Sequence, residues 1–538
     1  MENCSGRPQA SQKSLAKRLK ERCGQLITRT TSTQPPGIRE FLWLCLPALM
    51  VGLLLRLYFL SVTPEAYFGA DSRSYFHFSH ELFTDGELDL SPKRRWFYPI
   101  VLALLTPLPI ASWYLVPIVQ HLLGLITIVG IGWITLRLST WPRLTVPLVT
   151  LICALWPRML WYEHEFIAES FVLAAFVLTV ALALIPGMFK SKRGLFLIAL
   201  SLILLAGFKA VGRFFWLGAI IGLVIYAGDP RRWAWSIRSA LAAIASLVVA
   251  GTVGQDSQGY WLLLNSVLPL VQESGEPYGR YRQALRPLIL EARGYGENYP
   301  WYKYRYKKLL KKRGSEAIHP DWGRLLKKER DFSRVSRSLA LQAIRENPLT
   351  FLRYTVSSVA IATERGGVIY RFEPALFWRD QLLALRKISN EPTYARLALR
   401  TETPQLDQLA DQRRRRSYRL MGFHLWFDGL LRPLGQANGQ QGLATMMVRP
   451  FGWLVALGLA ISLRPRLIRR ASLLLVPSTL YAVAVFAVGD AVPRYLHPIE
   501  WVGFVLGVIA IEFVIRQAVR LQTRLMAGSP HREIPPRS

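Results

Sequence analysis

The chain has 538 residues, of which 51% are hydrophobic and only 19% charged, and its formal net charge is +32. So apolar a composition, with the apolar residues gathered in blocks, excludes an ordinary soluble protein. The basic excess does not point to nucleic acid, because Lys and Arg flank the apolar blocks in the way that membrane topology sorts them.

A membrane span needs about 20 consecutive, mostly apolar residues. Blocks of that kind fall at 41–60, 112–137, 144–162, 166–187, 195–211, 214–228 and 235–253, and then at 446–463, 471–488 and 499–515. The first 40 residues carry eight Lys and Arg and read as a cytoplasmic tail, not a cleaved signal. With that tail inside, Arg137 to Arg143, KSKR at 190–193, DPRRW at 229–233, RPRLIRR at 464–470 and the basic tail after Ile515 all fall inside as well. The even count of spans returns the C-terminus to the cytoplasm.

The expected fold is therefore all-α: a polytopic bundle of about ten transmembrane helices, with interfacial helices in the first outer loop and a long helical extracytoplasmic segment. The division runs as a basic tail (1–40), a membrane catalytic module (41–253, outer loop 61–111), an outer segment (254–445), two last spans (446–515) and a second tail (516–538). The outer segment holds 32 Lys and Arg against 18 Asp and Glu, and long loops are exempt from the charge bias. Within it, 339–364 reads as two helical stretches broken at Pro348, the second lying on the membrane. None of the four cysteines falls in an outer loop, so no disulfide framework is implied.

The outer junctions carry the candidate chemistry, in chain order. FGADSRSYFHF (68–78) places Asp71 before a helix-like aromatic stretch, where a carboxylate serves as an N-cap or as a catalytic group. In KRRWFYP (93–99), Arg94 and Arg95 are either snorkelling anchors or ligands of an anionic head group. In WYEHEF (161–166), Glu163 and Glu165 form a tight acidic turn that is either solvated or able to hold a hard divalent cation such as Mg or Mn. Glu169 follows, beside hydrocarbon, where an ionisable group is costly unless it is paired or faces a cavity. In FKAVGRF (208–214), Lys209 and Arg213 share a face if the turn is helical. VGDAVPRYLHPIEW (488–501) brings Arg494 and Tyr495 to the start of the last span, and Arg suits a phosphate because its planar fork makes paired hydrogen bonds.

GADSRSYF, RRWFYPIVLAL, FIAESFVLAAFVL and PRYLHP together resemble the polytopic GT-C glycosyltransferases that use polyprenyl-phosphate sugars, nearest to the protein mannosyltransferase and aminoarabinose transferase group. The resemblance covers the first seven spans and the final pair. It implies an inverting transfer of a sugar from a polyprenyl-phosphate donor to a hydroxyl of a glycan, lipid or protein, on the outer face of a bacterial plasma (inner) membrane. It further implies Asp71 as general base with Glu169 at the site, and Arg494, Lys209, Arg213, Arg94, Arg95 and Tyr495 at the donor phosphate. The Glu163–Glu165 pair resembles the metal-binding acidic motif of oligosaccharyltransferase catalytic subunits. Partners on this reading are the donor, membrane lipids and the acceptor, with no nucleic acid. Two alternatives remain: an oligosaccharide ligase or polymerase using a pyrophosphate carrier, and a transporter or flippase of anionic lipid-linked substrates.

Overall fold

The computed structural model describes residues 36–67, 72–84, 97–110, 112–188, 191–209, 212–227, 262–276, 278–300, 329–366, 436–437, 440–441, 465–488 and 497–527. Almost all of these are helical. In chain order the membrane part holds α1 (Ile38–Val62), α2 (Ser72–Thr84), α3 (Phe97–Leu105), α4 (Ser112–Leu138), α5 (Pro142–Leu155), α6 (Pro157–His164), α7 (Glu169–Ala183), α8 (Lys192–Phe208) and α9 (Gly212–Ala227). The outer segment contributes α10 (Gly279–Gly294), α11 (Glu329–Glu346) and α12 (Pro348–Gly366), and the chain closes with α13 (Pro465–Val488) and α14 (His497–Ala527). The only strands among the described residues are Gln436–Ala437 paired antiparallel with Gln440–Gln441.

α1 shows why this is a membrane fold. Phe41, Cys45, Ala48, Gly52, Arg56 and Phe59 recur at helical spacing and are buried. The other face, with Leu42, Trp43, Leu46, Met50, Leu54 and Leu57, is equally apolar yet exposed. A helix apolar all round has one face for protein and one for lipid. By length and composition α1, α4 and α14 can each cross a membrane, and α5 with α6 counts as a fourth if the bent pair is one span. α7 and α9 are shorter apolar helices of 15 and 16 residues. The expected spans at 235–253 and 446–463 lie outside the described residues.

Two expectations change here. The block 144–162 is not one helix: α5 and α6 meet at a 50° bend. Pro157 causes it, since a proline disfavours helical geometry in the residue before it, and Trp156 is extended. The acidic stretch at 163–165 is consequently not a solvated turn, because Glu163 and His164 form the buried last turn of α6.

Close approach of α9 and α13 rests on Gly218 and Gly222, four residues apart. A Cβ on Gly218 would stand 2.4 Å from Pro477 Cα, and one on Gly222 would stand 2.8 Å from the Ser472 carbonyl oxygen. Small residues at this spacing let membrane helices touch backbone to backbone. Ser472 Oγ fastens the contact, lying 3.2 Å from the Gly222 carbonyl.

The outer segment has its own apolar cluster, built from Leu263, Val267, Leu285, Ile289, Leu339, Ala343 and Tyr354. As expected, α11 and α12 break immediately before Pro348. α12 packs along α13 and leaves Leu349, Leu352 and Val356 exposed on one face.

Candidate functional site

The helices meet at two ends. At one end Glu40 binds Arg143 at 2.6 Å, and Glu512 accepts from Ser139 Oγ at 2.7 Å and from the Thr140 amide at 3.0 Å. At the other end α1 finishes, α4 and α7 begin, α6 and α8 finish, and α14 begins. Its polar groups are buried and sort into three clusters.

The first is a chain of hydrogen bonds across α1, α4 and α6. Arg56 Nη1 donates to the Gly52 carbonyl at 3.0 Å, and Nη2 to Glu163 Oε1 at 2.7 Å. Glu163 Oε2 lies 2.9 Å from His121 Nδ1, His121 Nε2 lies 3.0 Å from His164 Nδ1, and His164 Nε2 lies 3.0 Å from the Glu65 carbonyl. Thr63 Oγ1 also lies 3.3 Å from His164 Nε2, and Arg56 offsets the Glu163 charge. Gln120 Nε2 ties α4 to the Glu163 and Glu165 carbonyls at 3.0 and 2.7 Å. Gly124 leaves the room for Glu163, for a Cβ there would fall 1.9 Å from Oε1.

This geometry decides the metal expectation at Glu163. Both of its oxygens are engaged by protein donors, and among the described residues no group of three or more His, Cys, Asp or Glu is placed to hold an ion. These residues do not fit a divalent cation. Glu165 is half-buried, and Tyr67 and Glu165 form a parallel bridge that joins the end of α1 to the end of α6.

The second cluster is Glu169 with Lys209. Glu169, at the first position of α7, is buried and ion-paired to the Lys209 ammonium just past the end of α8. Its Oε1 takes that pair, while Oε2 is buried without a hydrogen-bond partner among the described residues. Lys209 is in extended conformation, with φ −149° and ψ 142°. It therefore does not share a helical face with Arg213, which sits in the first turn of α9. The ion pair ties Lys209 to the start of α7. Phe97, Tyr98, Phe171 and Phe208 form a run of ring contacts that links α3 to the start of α7 and the end of α8. Burial holds the Tyr98 phenol well above its usual range, and Tyr75, Glu169 and Glu165 add to this. The phenol stays protonated and donates to Gln120 Oε1 at 3.3 Å.

The third cluster lies where α6 meets α14. Arg158 is ion-paired to Glu500 Oε1, and Trp156 Nε1 donates to Glu500 Oε2 at 2.9 Å. His497, buried in the first turn of α14, packs with its ring centroid 4.6 Å from that of Tyr162 at a tilt of 42°, and among the described residues neither of its ring nitrogens has a hydrogen-bond partner.

Of the site residues expected from sequence, Glu163, Glu165, Glu169 and Lys209 converge on this end. Asp71, Arg94, Arg95, Arg494 and Tyr495 lie outside the described residues, and of Arg213 only the backbone is described. α2 begins at Ser72. On α2, Tyr75 and Phe76 are buried whereas Phe83 is exposed. Sequence reasoning missed His121, and it counted His164 and His497 among the ionisable groups of the outer junctions without giving them a role. His121 was legible only as a polar residue inside an apolar run, a cost that calls for partners.

No family model matches the chain, and no curated protein matches it. Among solved structures, ArnT from Cupriavidus metallidurans bound to undecaprenyl phosphate is similar with a TM-score of 0.31 and 14% identity, over 91% of this chain and 80% of that one. The same protein in its apo state gives 0.30 and 14%, over 88% and 78%. Scores this low carry neither residues nor a reaction across.

Proposed function

We propose that the protein is an inverting glycosyltransferase that moves a sugar from a polyprenyl-phosphate carrier to an acceptor hydroxyl at the extracytoplasmic face of the membrane. The observation that supports this most is the Glu169–Lys209 pair: a buried carboxylate with one unpaired oxygen holding a lysine at the same end of the bundle as α2. A buried charge is retained at such a cost where it has work to do.

On this reading Asp71 takes the proton of the acceptor hydroxyl. The hydroxyl oxygen bonds to the anomeric carbon as the carbon's bond to the phosphate oxygen breaks, which inverts that centre. Polyprenyl phosphate leaves with the bonding pair. Lys209, Arg213 and Arg494 stabilise its growing charge, and Arg94, Arg95 and Tyr495 hold the head group. Glu169 acts as a positioning residue for Lys209.

The test is mass spectrometry of lipid-linked sugars and surface glycans in cells with the wild-type chain, with Asp71→Asn, and without the gene. Asp71→Asn is expected to accumulate charged donor and lose the product while the protein still inserts in the membrane. Undiminished product from that variant would overturn the assignment of the base.

A further inference from the structure

The basic groups at the Glu40 end of the bundle do not all have an anion to meet. Two carboxylates there are already engaged. Glu40 holds Arg143 at 2.6 Å, and Glu512 accepts from Ser139 and the Thr140 amide and lies 3.8 Å from Arg516. Arg137 and Arg470 remain. Arg137 stands in the last turn of α4, with its guanidinium carbon 4.3 Å from the centre of the Trp133 ring. Among the described residues, its buried Nε has no hydrogen-bond partner, and neither has the buried Trp133 Nε1. Arg470, exposed near the start of α13, donates from Nη1 to the Arg137 carbonyl at 2.6 Å. That bond brings the two arginines to one corner of the bundle. Their contacts are to a ring and a carbonyl, and among the described residues neither forms an ion pair.

Two like charges held together without a counterion repel one another, so the corner is built for an anion. Its depth indicates which anion. Trp133 and Trp141 each lie beneath an arginine here, as indoles do at head-group level. Leu122, Ile126, Trp133 and Arg137 follow one another along a single face of α4, and Leu122 and Ile126 are exposed on it. An acyl chain lying on those two residues leads up to the arginines. The basic turns assign this end to the cytoplasm, the side on which anionic lipids meet juxtamembrane arginines.

We propose that Arg137 and Arg470 form a binding site for the phosphate of an anionic phospholipid, at the opposite end of the bundle from Glu169 and Lys209. The guanidinium nitrogens left over from the contacts above make paired hydrogen bonds to the phosphate oxygens, and the lipid chain covers the exposed stripe of α4. The site is separate from the sugar donor and stands whether or not the protein is a glycosyltransferase.

The experiment is native mass spectrometry of the purified full-length chain in detergent, titrated with phosphatidylglycerol, phosphatidylcholine or inorganic phosphate. Wild type is expected to prefer phosphatidylglycerol to phosphatidylcholine. Arg137→Gln and Arg470→Gln are each expected to weaken phosphatidylglycerol binding by about tenfold to a hundredfold, the range for one hydrogen bond to a charged group. Arg143→Gln, at the same end but already engaged by Glu40, is expected to bind as wild type does. Wild-type binding in both Arg137→Gln and Arg470→Gln would overturn the site. So would an equal loss in Arg143→Gln, which would make the effect one of overall charge. Phosphatidylcholine bound as tightly as phosphatidylglycerol would overturn the anionic class. Inorganic phosphate bound with comparable strength through the same two arginines would overturn the lipid source. Should Arg137→Gln fail to fold, Arg470→Gln decides alone, because that side chain is exposed: a loss of about tenfold supports the site, and no loss overturns it.

Discussion

Glu163 carries three residues on its two oxygens: Arg56 and His121 as partners, and Gly124 as the space that admits it. Gly124→Ala is expected to expel the carboxylate and strand Arg56, a loss of about 3–5 kcal/mol. The buried thiols of Cys45 and Cys153 provide the readout, as a fall in the temperature at which they react with a maleimide dye. Lys209→Met is expected to cost a similar ~3 kcal/mol by leaving Glu169 buried and charged. Glu169→Gln with Lys209→Met is then expected to regain most of that stability without regaining transfer, which separates the pair's structural share from its chemical one. Asp71, Glu169 and Lys209 stood out in sequence because each charge interrupts an apolar context. Arg56 interrupts the first apolar block in the same way, but its pairing was not legible, because Glu163 lies 107 residues away along the chain.

Element boundaries were largely written in the sequence, since apolar blocks of the right length admit few readings. α1, α4 and α8 start and stop within a few residues of the expected spans. The bend between α5 and α6 was not read, although Pro157 stood in plain sight, because continuous hydropathy masks a change of direction. Contact between α9 and α13 was likewise invisible: the Gly218–Gly222 spacing lies on one helix, while its partner is 250 residues further on. Gly218→Val is expected to wedge the two helices apart and cost about 1–3 kcal/mol. Cys45 and Cys153 lie off this interface, so the same thiol-reactivity assay reports the loss as global.

For the whole molecule, one basic tail and a set of basic short turns predicted a direction across the membrane. Ser61 and Lys192, both exposed at opposite ends of the bundle, test it. In a cysteine-free background, Ser61→Cys is expected to react with an impermeant maleimide in intact cells, and Lys192→Cys only after permeabilisation. The reverse pattern would turn the protein over and put the candidate site in the cytoplasm. Assembly is a further matter of order in time. Arg158 emerges from the ribosome 342 residues before Glu500, its ion-pair partner on α14. At about 5–20 residues per second that is a wait of roughly 20–70 s. For that interval Arg158 lacks its α14 partner, so the early helices are expected to close fully only when α14 arrives. The last helix thus sets the moment of closure, and a ribosome stalled before residue 497 leaves behind an open intermediate for membrane proteases to clear.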